Sequence, residues 1–162
     1  MGTGKSSVGR LLAHTLHRPF FDTDTEIEKR TERKIRDIFS EDGEQAFRAL
    51  EQRCVDEWIP AAGAVIATGG GILTSPGMRE KLRARGIVIT LFASPETIYE
   101  RTRTGSRPLL KTEDPTVRIR ELLAARENDY KNAGIGVFTD GRSLSDLVAH
   151  IRRIYLREIK SR

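Results

Sequence analysis

Gly2-Thr3-Gly4-Lys5-Ser6-Ser7 fill the closing positions of a phosphate-binding loop. In the pattern G-x-x-x-x-G-K-[ST], close-set glycines let successive backbone N–H groups converge on nucleotide phosphates. The lysine neutralises the outer phosphates, and the hydroxyl after it ligates Mg²⁺. Counting back from Gly4 puts the opening glycine, and the apolar strand that feeds such a loop, ahead of Met1. Val8, Leu11, Leu12 and Leu16 follow at helical spacing up to a break at Arg18-Pro19, so the loop opens onto a helix. The partial positive charge of that helix N-terminus adds to the phosphate site.

Three further groupings could do chemistry. Asp22-Thr23-Asp24 follows the apolar pair Phe20-Phe21, at a strand end, the edge where open α/β sheets place ligands. Either aspartate could instead cap the helix that follows. Arg48 and Glu51 stand three apart in a helical stretch and so share a face. Read locally they are an ordinary surface ion pair, although the planar donors of arginine also match a carboxylate ligand bidentately. Thr68-Gly69-Gly70-Gly71 ends another apolar run. Three residues without side chains let a ligand approach the backbone, or make an idle turn.

The elements that must position these residues alternate. Phe20-Phe21, Ala64 to Thr68, Ile87 to Phe92 and Ile135 to Thr139 read as strands, with helical patterns between them, which argues for a parallel α/β sheet. The runs at 64–67 and 87–89 lack polar alternation, as expected of strands covered on both faces. Ser75-Pro76 and Ser94-Pro95 each place a capping residue before proline, and Gly86 sits where a helix would stop. Residues 23 to 58 form a helical region too long for one crossover, broken near Ser40-Glu41-Asp42-Gly43, and read as a substrate-binding insertion. Residues 103 to 115 combine turn formers and cations without an apolar period and read as a mobile lid.

The length of 162 residues suits a single domain with a real core. A charged fraction of 31% with both signs interspersed, and no apolar run of membrane-spanning length, describes a soluble chain without a membrane partner. The opening residues are not those of a secretory leader. Cys54 is the one cysteine; with no metal-ligand spacing to His14, His17 or His150, it reads as a small buried hydrophobe. The net charge of +5 invites a nucleic-acid reading. Its arginines are scattered, however, and the cluster Arg152, Arg153, Arg157, Lys160 and Arg162 reads as a solvated helix face, so no nucleic-acid partner is expected.

Taken in order, G-T-G-K-S-S, F-D-T-D-T-E-I-E, F-R-A-L-E, T-G-G-G, and R-P-L-L followed by R-E-N-D-Y resemble the shikimate kinase family over essentially the whole chain. The resemblance implies a three-layer α/β/α P-loop fold with a parallel sheet of five strands, the central one lying ahead of Met1. It implies ATP-dependent phosphorylation of the 3-hydroxyl of shikimate, with Mg²⁺, by a cytoplasmic monomer that makes chorismate precursors for aromatic amino acids. Lys5 would contact the β- and γ-phosphates, and Gly2, Thr3, Gly4, Ser6 and Ser7 would complete the ATP loop. Ser6 would bind Mg²⁺ directly and Asp22 through water. Asp24 would bind the acceptor hydroxyl and take its proton, the second role being less needed in a loose transition state. Arg48, oriented by Glu51, and Arg126 would hold the shikimate carboxylate, and Gly69, Gly70 and Gly71 would line the site. Phe39 and Phe47 would either flank the ring or pack in the core. Arg107 would close over the γ-phosphate from the lid, and Arg101 and Arg142 would flank adenine. Leu144 stands where the family often has proline, a departure beside Arg142. The competing expectations are a gluconate or nucleotide kinase of the same fold, and a non-catalytic binding module.

Overall fold

The computed structural model describes residues 2–103 and 114–161. Its chain divides into two compact units: Ser6–Gly86, and Ile87–Arg162 together with Met1–Lys5.

The first unit opens within α1, Lys5–Thr15, whose first residue belongs to the second unit, and continues with the short strand β1, Phe20–Asp22. Three helices then carry the chain over to β2, Val65–Ala67: α2, Thr23–Thr31; α3, Ile35–Glu41; and α4, Gly43–Arg53. The last continues as a wider π turn over Cys54–Trp58. β1 and β2 are parallel, with Phe20 opposite Val65 and Asp22 opposite Ala67, and parallel pairing requires a long crossover of this kind. A 3₁₀ turn, Ile72–Thr74, and α5, Met78–Arg85, complete the unit. Its core gathers Ile27, Ile38, Phe47, Cys54, Val55 and Ile72. Burial, with the nearby charges of Glu26, Asp24 and Glu51, pushes the Cys54 thiol up to about 12, so it packs as an apolar side chain.

In the second unit β3, Ile89–Phe92, leads through α6, Pro95–Thr102, and α7, Pro115–Lys131, to β4, Ile135–Phe138; α8, Leu144–Glu158, closes the chain. β3 and β4 pair in parallel from Ile89 opposite Ile135 to Phe92 opposite Phe138. The buried stripe of α8, Leu147, Val148, Ile151 and Ile154, leaves Arg152, Arg153 and Arg157 exposed, the solvated face expected of the basic tail.

Several sequence expectations need correction. The helical region breaks at Asp42, as expected, and also at Glu32, whose backbone takes a left-handed conformation with φ 55°. The strands are shorter than the apolar runs: 65–67 within 64–68, 89–92 within 87–92 and 135–138 within 135–139. Among the described residues each strand pairs with one other, and none is buried along its whole length. Ser94 does cap α6, its Oγ accepting from Thr97 N, whereas Ser75 does not cap α5. That helix starts after Gly77, whose φ of 75° suits glycine, and Ser75 contributes only its carbonyl, to Met78 N.

Candidate active site

Gly2 and Gly4 adopt φ of 68° and 89°, the left-handed region that glycine enters without cost. This curls the loop and delivers Lys5, half-buried, to the first position of α1. Thr3 is buried, and Ser6 and Ser7 lie exposed on the first turn of the helix. The first of these serines has a defined partner: Ser6 Oγ donates to Asp22 Oδ2 at 2.6 Å.

Asp22 does two things at once. Its Oδ1 accepts from Asp24 N at 3.1 Å and caps α2, so the capping role foreseen locally is present. The same cap fixes the carboxylate so that Oδ2 faces Ser6. Between the two aspartates, Thr23 is fully buried and accepts from Gly69 N at 3.0 Å through its hydroxyl. That bond ties the end of β2 to the start of α2. Sequence reasoning passed over Thr23; the available signal was a hydroxyl set between two carboxylates directly after a strand.

Arg48 and Glu51 depart from an ordinary surface pair. Glu51 has no exposed side-chain area, and its Oε2 accepts from Arg48 Nη1 at 2.5 Å. Glu44, which sequence reasoning also missed although it stands four residues before Arg48, accepts from Nη2 at 2.7 Å and from Nε at 3.2 Å. Burial disfavours the Arg48 charge, but the hydrogen bonds to Glu51 and Glu44 outweigh it and raise the guanidinium above its ordinary value. Arg48 also lies 5.5 Å from the Phe47 ring centroid. Phe47 is a core residue, 4.7 Å from the half-buried Phe39 ring, so core packing accounts for Phe47.

The glycines after β2 make this cluster possible. A Cβ on Gly69 would stand 2.5 Å from Glu51 Oε1 and 2.8 Å from Asp24 Oδ1, and one on Gly71 would run into the Arg48 guanidinium. Their missing side chains leave room for the protein's own charges. Asp24, Arg48, Glu51, Gly69 and Gly71 therefore gather in one place.

The second unit carries the remaining described candidates. Arg101, on α6, donates through Nη1 to Thr139 Oγ1 at 2.9 Å and through Nη2 to Thr139 O at 3.3 Å, fixing it at the end of β4. Next to this, Asp140 Oδ1 accepts from Ser94 N and Ser94 Oγ. The hydroxyl of Thr97, with these two bonds, holds the Asp140 carboxyl down at about 2. Arg142 precedes the cap Ser143 of α8 and reaches Asp146 O at 3.5 Å. Leu144 occupies the first helical position, which suits proline but does not require it, so the departure leaves the helix start intact. Arg126, on α7, is half-buried beside Ile98, Ile119, Leu122 and Tyr130 rather than fully solvated. Arg107 and most of the lid segment lie outside the described residues.

Comparison with known proteins decides the family. The family model for shikimate kinase matches residues 1–155. The chain belongs to the shikimate kinase family. Shikimate kinases of Thermus thermophilus and Symbiobacterium thermophilum are 44% and 47% identical to it, over 100% and 93% of this chain and 89% of each relative. A shikimate kinase from Acinetobacter baumannii, solved in complex with shikimate, superposes with a TM-score of 0.89 at 37% identity, covering 98% of this chain and 89% of that one. A gluconokinase from Sinorhizobium meliloti, at 18% identity and a TM-score of 0.55, shares the fold alone. The chain is thus a shikimate kinase of P-loop α/β fold, using ATP with Mg²⁺.

The residues present fit that ion. Ser6 Oγ and Asp22 Oδ2 are hard oxygen donors at hydrogen-bond distance from one another. An ion that keeps waters and is bound largely by substrate phosphates needs few protein oxygens. Among the described residues, no helix is long and apolar enough to cross a membrane.

Proposed function

We propose that the cluster around Arg48 receives the carboxylate of shikimate and that Asp24 meets its 3-hydroxyl. The observation that carries this reading is the Arg48 guanidinium, laid against Gly71 and anchored by the fully buried Glu51. A fork so held recognises a planar carboxylate with little entropy left to lose. Asp24 stands in the same cluster, against Gly69, where it can orient the hydroxyl and accept its proton. Gly70 lies between the two crowded glycines and completes the lining. Phosphoryl transfer is mainly positioning and charge stabilisation, and the remaining roles follow from that. Lys5 steadies the β- and γ-phosphates, and the N–H groups of Gly2, Thr3, Gly4, Ser6 and Ser7 cradle them. Ser6 and Asp22 hold Mg²⁺, which when bound neutralises phosphate charge. Arg126 adds a second carboxylate contact, Arg107 covers the γ-phosphate, and Arg101 and Arg142 flank adenine.

On this reading both units serve one catalytic domain, supported by a single family model spanning 1–155, with a helical substrate region at 23–58 and a lid at 103–115. The enzyme works as a monomer in the cytoplasm, where its ATP is found. The test is ATP consumption measured with shikimate, with gluconate and with a nucleoside monophosphate. Turnover is expected with shikimate alone, and turnover with either of the others at a comparable rate rejects the assignment of Arg48. The Arg48→Lys variant, which keeps a cation beside Glu51 but loses the fork, is expected to raise the KM for shikimate more than that for ATP.

A further inference from the structure

Arg48 has two edges that can each grip a carboxylate with a pair of donors, Nε with Nη2 and Nη1 with Nη2. Neither edge is clear of carboxylates in this structure. Glu44 Oε1 takes both donors of the first, at 3.2 Å and 2.7 Å, and Glu51 takes Nη1 of the second. The two glutamates differ in what their release would cost. Glu51 is sealed from solvent, whereas the side chain of Glu44 is 63% exposed. Hydrating Glu44 is cheap; hydrating Glu51 would require the core to open. A third carboxylate brought to this guanidinium would meet the charge of Glu44 at close range, and like charges sharing a site disfavour one another.

We propose that Glu44 is an internal stand-in for the substrate's carboxylate: it holds the Nε/Nη2 edge of Arg48 in the empty enzyme and leaves for water when shikimate arrives. This rests on the reading of Arg48 as the carboxylate fork. Glu44 then does two jobs. It keeps the guanidinium aligned against Gly71 while the site is vacant, and it sets the affinity, because every binding event must first displace it. Glu51 stays throughout, so the charge around Arg48 remains balanced by two carboxylates before and after binding.

The experiment compares Glu44→Gln and Glu44→Ala with the parent enzyme, using the KM and calorimetric Kd for shikimate and for its methyl ester, which lacks the carboxylate charge. Release of the one exposed partner of such a pair supports a shikimate Kd and KM that fall roughly two- to fivefold in both variants. The change is expected on KM rather than on kcat, and the ester should show none. A Kd that is unchanged or higher in both variants overturns the proposal, since Glu44 would then only brace Arg48. Equal tightening of the ester overturns it as well, because the gain would not pass through the carboxylate. Arg48→Lys separates this from failure of the underlying reading: if that variant binds shikimate as the parent does, Arg48 is not the fork, whatever Glu44 does. Melting curves for each variant establish that folded protein is compared.

Discussion

Gly71 carries a constraint that can be tested without disturbing the backbone. Its φ of −102° is open to any residue, so an alanine there acts only through its methyl group, which would fall on the Arg48 guanidinium. We expect Gly71→Ala to raise the KM for shikimate about tenfold or more, displacement by an ångström being enough to spoil a positioned fork, while the KM for ATP moves little. Steady-state kinetics with each substrate varied in turn provide the check. The same residue-scale logic separates Arg48 from Arg33, which also forks onto two carboxylates, at 2.6 Å to Glu41 and 2.5 Å to Asp42. All three members of that cluster are at least 37% exposed on their side chains, so their alignment contributes little. Equal distances therefore mean different things at the two sites, and burial of Glu51 is what distinguishes them.

At the scale of elements, side-chain oxygens fasten strand ends to helix starts in both units. Thr23 receives Gly69 N at the end of β2, Asp22 caps α2, and Asp140 receives Ser94 where β3 gives way to α6. Asp140 has a pH signature. The Thr97 hydroxyl and the Ser94 bonds lower its carboxyl from 3.8 to about 2 in the folded protein. A depressed folded value stabilises above the unfolded one and is lost as pH falls through the folded value. The contribution, about 1 kcal/mol once solvent screening has taken its part, is thus present above pH 4 or so and gone below about 2. Urea unfolding of Asp140→Asn across this range should show a deficit at neutral pH that closes on acidification; a deficit independent of pH would show that the ionised form has no special stability.

For the whole molecule, oligomeric state is the open quantity with a clear measurement. Sedimentation should return the monomer mass of 18.2 kDa at all concentrations. Phe138 is the residue most apt to defeat that expectation, since it is 69% exposed on β4 and leans on Phe92 at 5.4 Å. If mass rises with concentration, Phe138→Ser should restore the monomer, because an exposed aromatic buries a large apolar area when another chain covers it. The net charge of +5 acts at this scale too. It favours approach of anionic substrates in dilute buffer and is screened over about 8 Å at physiological salt.

The residues we propose for the chemistry were legible because phosphate and carboxylate recognition demand particular side chains at short spacings: Gly4-Lys5-Ser6, Asp22 with Asp24, Arg48 with Glu51. Element order was legible for the same reason, periodicity being local, and the breaks at Arg18-Pro19 and Asp42 fell where turn residues stood. Strand ends were not, because apolar runs continue past the last ladder bond. Nor was the cap of α5: Ser75 has the right side chain, and only the backbone turn at Gly77 excludes it. Read locally, Arg48 and Glu51 could be a surface pair or a carboxylate fork and Gly69 and Gly71 room for a ligand or an idle turn, while Thr23 and Glu44 drew no reading. Their meaning depends on what lies across a gap of tens of residues, Gly69 against Thr23, Asp24 and Glu51, and Gly71 against Arg48. Residue type and spacing determine which charges exist; only the folded chain decides which of them is shut away from water, and burial is what turns an ion pair into a site.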